Sequence, residues 1–108
     1  MARVRPLSPR AADAARMLGE QIRVGRIERR WTLSELGERV GVSVPTIRKV
    51  ERGDTTVALG VAFEAAVTVG LPLFGEDDER RRLEQHRIDD RLALLPKTAR
   101  KQVIDDAF

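Results

Sequence analysis

The chain has 108 residues, 42% apolar and 34% charged, with 20 Lys plus Arg against 17 Asp plus Glu, one histidine and no cysteine. That size fits a small domain with a single core; no apolar run approaches the ~20 residues of a membrane-spanning helix, Met1–Arg10 (MARVRPLSPR) lacks the apolar block of a signal peptide, and a soluble cytoplasmic protein is expected. With His86 alone and no thiol, a disulfide framework, a cysteine nucleophile and a Cys/His zinc site are excluded, so no catalytic activity, cofactor or metal is expected.

Sustained alternation of apolar and polar residues, the mark of a strand, is missing, and the chain reads as all-α. Ser8-Pro9 supplies an N-cap and a first-turn proline for a long helix running to about Arg30, with Ala11, Ala14, Ala15, Leu18 and Ile22 on or near one face. Gly19 and Gly25 within it each cost about 1 kcal/mol relative to alanine, which close packing by another helix would offset. Trp31 precedes Thr32-Leu33-Ser34-Glu35, a capping box: the threonine hydroxyl accepts from one free N–H and the glutamate carboxylate reaches back to another. A short helix therefore starts at Leu33, carries Leu36, Gly37 and Val40, and stops at Gly41, the residue best suited to a left-handed cap. After Val42, Ser43 caps a second short helix that tolerates Pro45 in its first turn. Ile47 and Val50 face inward there, and Val44, Thr46, Arg48, Lys49 and Arg52 face outward, until Gly53-Asp54 breaks the helix.

Leu59, Ala62, Phe63, Ala66, Val67 and Val69 make a strongly apolar helix that ends at Gly70; Phe63 and Trp31 are expected in the core. Glu76–Leu95 reads as a highly charged helix with a thin stripe of Ile88, Leu92 and Leu95, and with Asp77/Arg81 and Asp78/Arg82 at i,i+4 spacing. Pro96–Phe108 has few apolar residues and reads as a flexible tail, or one that folds on binding. The expected organisation is residues 1–75, a charged arm at 76–95 and a tail at 96–108. Charge follows the same partition: Met1–Ala58 holds 12 Lys/Arg against 7 Asp/Glu, whereas Glu76–Leu95 holds 5 Arg against 7 acids. A basic half followed by a mildly acidic one suits an anion-binding module with a second function appended.

The paired short helices, with apolar Leu36, small Gly37, Gly41 at the turn, then Val42, Ile47 and Val50, and with ERG plus a polar residue directly after, resemble the helix-turn-helix of the Cro and phage-repressor (XRE-type) family. The resemblance covers about Leu18 to Leu71. It implies a lambda-repressor-like helix-turn-helix domain of four or five helices, here with an appended C-terminal helix and tail. The family's base-reading positions fall on Val44, Pro45, Arg48 and Lys49. Arg48 or Lys49 can donate to guanine O6 and N7, while Val44 and Pro45 can only touch a thymine methyl or set shape. That departs from the glutamine-rich pattern of the best-known repressors and favours Arg/Lys contacts with indirect readout. Ser43, Thr46 and Arg52, with Thr32 and Leu33 at the start of the preceding helix, are the implied phosphate contacts, although Ser43 and Thr32 are caps first. The resemblance also implies an ion pair between Arg26 and Glu51 that orients two helices without touching DNA.

VERGDTTVALG and LALLPKTARKQVIDDAF further resemble the small HipB-type antitoxin repressors encoded beside HipA-type Ser/Thr kinase toxins. That family implies a homodimer that binds double-stranded operator DNA in its own promoter and also binds the toxin, restraining it. The stripe of Ile88, Leu92 and Leu95 and the apolar-plus-acidic end, Val103, Ile104, Asp105, Asp106 and Phe108, suit a segment that orders on a protein partner. The alternative is a stand-alone regulator whose C-terminal segment only dimerises, with the last domain helix and the 76–95 arm both open as the contact. An enzyme such as a nuclease would need carboxylates clustered on a pocket wall; Asp77/Asp78 and Asp89/Asp90 lie instead among arginines and read as surface pairing.

Overall fold

A computed structural model describes residues 6–75 and 77–99, so Val103, Ile104, Asp105, Asp106 and Phe108 lie outside the described residues. Five helices follow in order: α1 (Pro9–Glu28), α2 (Leu33–Val40), α3 (Val44–Glu51), α4 (Leu59–Thr68) and α5 (Asp78–Leu94), with no strand among the described residues. The chain divides into two compact units between Leu73 and Phe74, and α1 to α4 form the first.

Helix boundaries follow local chemistry. Ser8 Oγ accepts from the Ala11 N–H at 3.3 Å, with Pro9 at the first helical position. At its other end α1 stops at Glu28, two residues earlier than expected, because Arg30 turns to a left-handed φ of 59°. Thr32 Oγ1 accepts from the Glu35 N–H at 3.0 Å, but only this half of the capping box forms: the Glu35 carboxylate takes the Thr32 hydroxyl proton at 3.3 Å instead of a backbone N–H. Gly41, at φ 87°, ends α2.

The core of the first unit draws on every helix in it: Ile22 from α1, Leu36 from α2, Ile47 and Val50 from α3, Ala65 and Ala66 from α4, with Val69 just beyond. Each large side chain buried there stabilises the fold by roughly 1.5–3 kcal/mol. Leu18, Trp31, Leu33, Val40, Val42, Val57 and Val61 close around it. The two glycines of α1 mark close crossings. A Cβ on Gly19 would lie 2.6 Å from the carbonyl oxygens of Val50 and Glu51, and one on Gly25 would lie 2.9 Å from the Val69 side chain.

The apolar faces are not buried along their whole length. On α1, Ala11 and Ala14 are exposed, while the backbone at Ala15 and Arg16 faces Gly53. On α4, Leu59 and Val67 are 66% and 60% exposed: its apolar set is wider than the face that its three neighbours cover. Trp31 and Phe63 are half-buried.

In the second unit α5 buries no residue, and Ile88, Leu92 and Leu95 are all exposed. The anticipated i,i+4 pairs are replaced by tighter local ones. Asp77 accepts from the Arg80 N–H at 2.7 Å as the N-cap, and Asp78 pairs with Arg81 at 2.8 Å.

Candidate nucleic-acid interface

Helices α2 and α3 meet at a turn that leaves no room for a side chain. A Cβ on Gly37 would lie 2.7 Å from the Val42 carbonyl oxygen, and the Gly37 carbonyl accepts from both Gly41 and Val42 N–H groups at 2.7 and 2.9 Å. Leu36 and Ile47, fully buried on either side, tie the two helices into one body. The inner face of α3 is thereby fixed, and Arg48, Lys49 and Arg52 stand exposed on the outer one.

The start of α3 is polar. Ser43 Oγ accepts from the Thr46 N–H at 3.4 Å and lies 3.0 Å from Thr46 Oγ1, so one hydroxyl donates to the other and one proton of the pair stays available for a ligand. Pro45 is exposed. Val44 and Thr46, expected to face outward, are half-buried: both lie in the first helical turn, with Thr46 held against Ser43. At the start of α2 the Thr32 hydroxyl is committed twice to Glu35, and the Leu33 side chain packs on the core. What this end offers an anion is therefore the backbone N–H of Leu33 and Ser34, at the positive end of the helix.

A second layer holds α3 against α1. Arg26 donates to Glu51 through two nitrogens, Nε at 2.6 Å and Nη2 at 3.0 Å, and its third, Nη1, donates to the Trp31 carbonyl at 2.9 Å. The side chains are only 12% and 8% exposed, so this forked pair is shielded from the screening that weakens surface pairs. Because Trp31 sits on the segment joining α1 to α2, one guanidinium fixes the orientation of three helices. The Trp31 ring is held in turn by Arg39 of α2, 4.1 Å from its centroid, and by Arg29 at 5.6 Å.

Beyond α3, Asp54 Oδ1 accepts from the Thr56 hydroxyl at 2.6 Å and the Thr56 N–H at 2.9 Å. These bonds, the hydroxyl first, hold the carboxyl below the usual aspartate range, with Lys49 and Arg52 adding a smaller attraction. The sequence expectations do not include this turn, although Asp-Thr-Thr after a glycine is a legible signal for it. Nor do they include Arg39, and the i,i+3 and i,i+4 spacings do not find it, since Trp31 lies eight residues before it, just ahead of α2. Among the described residues no group of three or more His, Cys, Asp or Glu is placed to hold a metal ion, and no helix is long and apolar enough to cross a membrane.

An all-α unit in which two short helices meet at a glycine turn, the second lying with a basic outer face on a core shared by all four, is a lambda-repressor-like helix-turn-helix domain. Residues 22–74 match the family described as Helix-turn-helix (HTH_3), and this segment is a helix-turn-helix domain of the Cro and repressor class, that of a DNA-binding transcriptional regulator. No match was found among curated proteins or among solved structures.

Proposed function

We propose that the protein is a sequence-specific repressor that binds operator DNA as a homodimer and acts as an antitoxin toward a HipA-type Ser/Thr kinase toxin. The observation that carries the DNA half is the outer face of α3, where Arg48, Lys49 and Arg52 are exposed on a helix locked from behind by Ile47, Val50 and Glu51. Arg48 and Lys49 donate to guanine edges in the major groove, while Val44 and Pro45 touch a thymine methyl or select local shape. Ser43, Thr46 and Arg52 hold phosphates and set the register, joined by the start of α2 at Thr32 and Leu33 through its free backbone N–H groups. One such helix makes few contacts, and two related by a two-fold axis reach half-sites about one DNA turn apart, hence the dimer.

Arg48→Ala is expected to weaken the cognate site by ~1–3 kcal/mol and relax base preference there, whereas Arg52→Ala weakens all sequences alike. Equal losses on cognate and random duplex for Arg48→Ala, measured by fluorescence anisotropy, would remove Arg48 from the base-reading set.

The antitoxin half rests on the resemblance of VERGDTTVALG and LALLPKTARKQVIDDAF to HipB-type proteins. It gains support from α5, which leaves Leu83, Ile88, Leu92, Leu94 and Leu95 exposed. In this reading Ile88, Leu92, Leu95, Val103, Ile104 and Phe108 contact the toxin. Co-expression with the neighbouring gene product should give a stable complex and relieve its toxicity; a chain that purifies alone and leaves the toxicity unchanged sinks the proposal. The same exposed stripe also favours the second reading, a stand-alone regulator that dimerises through its C-terminal segment. That reading predicts that deleting Pro96–Phe108 leaves every activity intact.

A further inference from the structure

We infer that α1 adds a phosphate-binding residue, Arg23, to this surface, acting in a cleft that it shares with Arg48 and Arg52 of the recognition region; the assignment to DNA rests on the function proposed above. The cleft has a volume of about 230 Å³ and is lined by Arg23, Arg26, Leu33, Arg48, Glu51 and Arg52. Five of the six lining residues are charged, but their charges do not cancel. Arg26 and Glu51 neutralise each other, and both Glu51 oxygens are taken by Arg26. The side chains of Arg23, Arg48 and Arg52 form no hydrogen bond or ion pair among the described residues. Three guanidinium groups with no bonded carboxylate thus surround one opening beside Leu33, the first residue of α2, whose free N–H adds to the same field.

Like charges gathered round a cleft repel one another, and apart from the small attraction between Arg52 and Asp54 no free carboxylate among the lining residues offsets them; a bound anion would. Planar guanidinium forks match the oxygens of a phosphate group better than point charges do. Arg23 stands three residues before Arg26 on α1, on the same side of the helix, so the ion pair that docks α3 also carries Arg23 to the edge of the recognition helix. No sequence pattern links Arg23 to Arg48, because the two belong to helices brought together only by packing. Arg10, also exposed and unpaired on α1, lies about 20 Å farther along the helix and serves as a charge-matched control.

The phosphate can belong to a DNA backbone or be free in solution, and two measurements separate these sources. In the first, full-length wild type, Arg23→Ala, Arg23→Lys and Arg10→Ala bind a fluorescein-labelled mixed-sequence duplex of about 30 base pairs, followed by anisotropy from about 50 to 200 mM NaCl. Arg23→Ala should weaken binding about fivefold and lower the salt slope by about 0.9 per chain; Arg23→Lys should keep the slope and recover part of the affinity, and Arg10→Ala should change affinity less than about twofold. In the second, inorganic phosphate is titrated at constant ionic strength while arginine Nε–Hε signals are followed by NMR. Joint movement of the Arg23, Arg48 and Arg52 signals, lost in Arg23→Ala, shows that the cleft takes a free phosphate; a loss confined to the duplex measurement identifies the DNA backbone as the source. If Arg23→Ala behaves like Arg10→Ala in both measurements, the assignment is overturned. Should wild type bind no duplex, the DNA reading itself fails, and the phosphate titration alone decides the cleft: joint signal movement sustains it and its absence overturns it.

Discussion

Gly19 and Gly60 both sit inside helices, yet the space around them differs in kind. Gly19 lies where α1 crosses α3, and a methyl group there would press on two carbonyl oxygens at 2.6 Å, which are backbone atoms that cannot rotate away. Gly60, in α4, has nothing within 4 Å of the position a methyl group would take. The same substitution should therefore have opposite signs. Gly19→Ala is expected to destabilise the domain by about 1–3 kcal/mol, as overpacking does, and Gly60→Ala to stabilise it by up to about 1 kcal/mol through helix propensity. Urea unfolding of the two variants checks both, and a destabilised Gly60→Ala would contradict the open space at that position.

Asp54 is the other residue with a definite expectation. The folded state favours its carboxylate, so the turn's contribution is fully present above the usual value of 3.8 and is lost as pH falls through the lower folded value. Thr56→Val removes the hydroxyl donor and keeps the shape. It should move the Asp54 carboxyl upward toward that usual value without reaching it, since the Thr56 N–H still donates. An NMR pH titration of the Asp54 carboxyl carbon reads the shift directly; an unchanged titration would show that the hydroxyl bond has no weight.

Among the elements, α3 depends on others for its placement. Eight residues are too few to be helical alone in water, and α3 is held by its Ser43 cap, by Ile47 and Val50 in the core, and by Glu51 in the fork of Arg26. Arg26→Ala leaves the Glu51 carboxylate shielded and unpaired and should cost about 3 kcal/mol in unfolding experiments. The double variant Arg26→Met/Glu51→Leu should recover much of that loss, because it removes the orphaned charge along with its partner. Equal losses in the single and double variants would show that packing, not charge pairing, sets the energy of this contact. The segment boundaries around α2 and α3 are legible in the sequence because caps act within three or four residues: Thr32, Gly41 and Ser43 announce themselves locally. The extent of burial along α1 and α4 is not. Periodicity marks which side of a helix is apolar, but it cannot say how much of that side a neighbour covers, which is why Ala11, Ala14, Leu59 and Val67 belong to apolar sets and yet lie exposed.

For the whole molecule, the division after Leu73 separates a unit with a core from a helix without one. Every core residue, from Ile22 to Val69, belongs to the first unit, and α5 buries none. A fragment of residues 1–73 should therefore fold alone and unfold cooperatively with a midpoint within a few degrees of the full chain, as followed by circular dichroism. A fragment that fails to fold would show that α5 or the tail contributes to the first unit's stability.

The order of elements, the N-cap residues Ser8, Thr32 and Ser43, the glycine turn and the outward run of Arg48, Lys49 and Arg52 were determined by the sequence alone, because each depends on groups a few residues apart. Tertiary structure decided what depends on distant residues meeting. The Arg26–Glu51 pair was implied by the family resemblance and is present, but only packing brought Arg26 to the Trp31 carbonyl as well, Arg39 to the Trp31 ring, and Arg23 beside Arg48 and Arg52. The balance of 20 basic against 17 acidic residues gained its meaning the same way: the fold cancels Arg26 against Glu51 and leaves three other arginines facing one cleft. Hydrogen bonds and Coulomb interactions fall off over a few ångströms to about ten, a range that spacing along a helix sets within one element and that only packing sets between two.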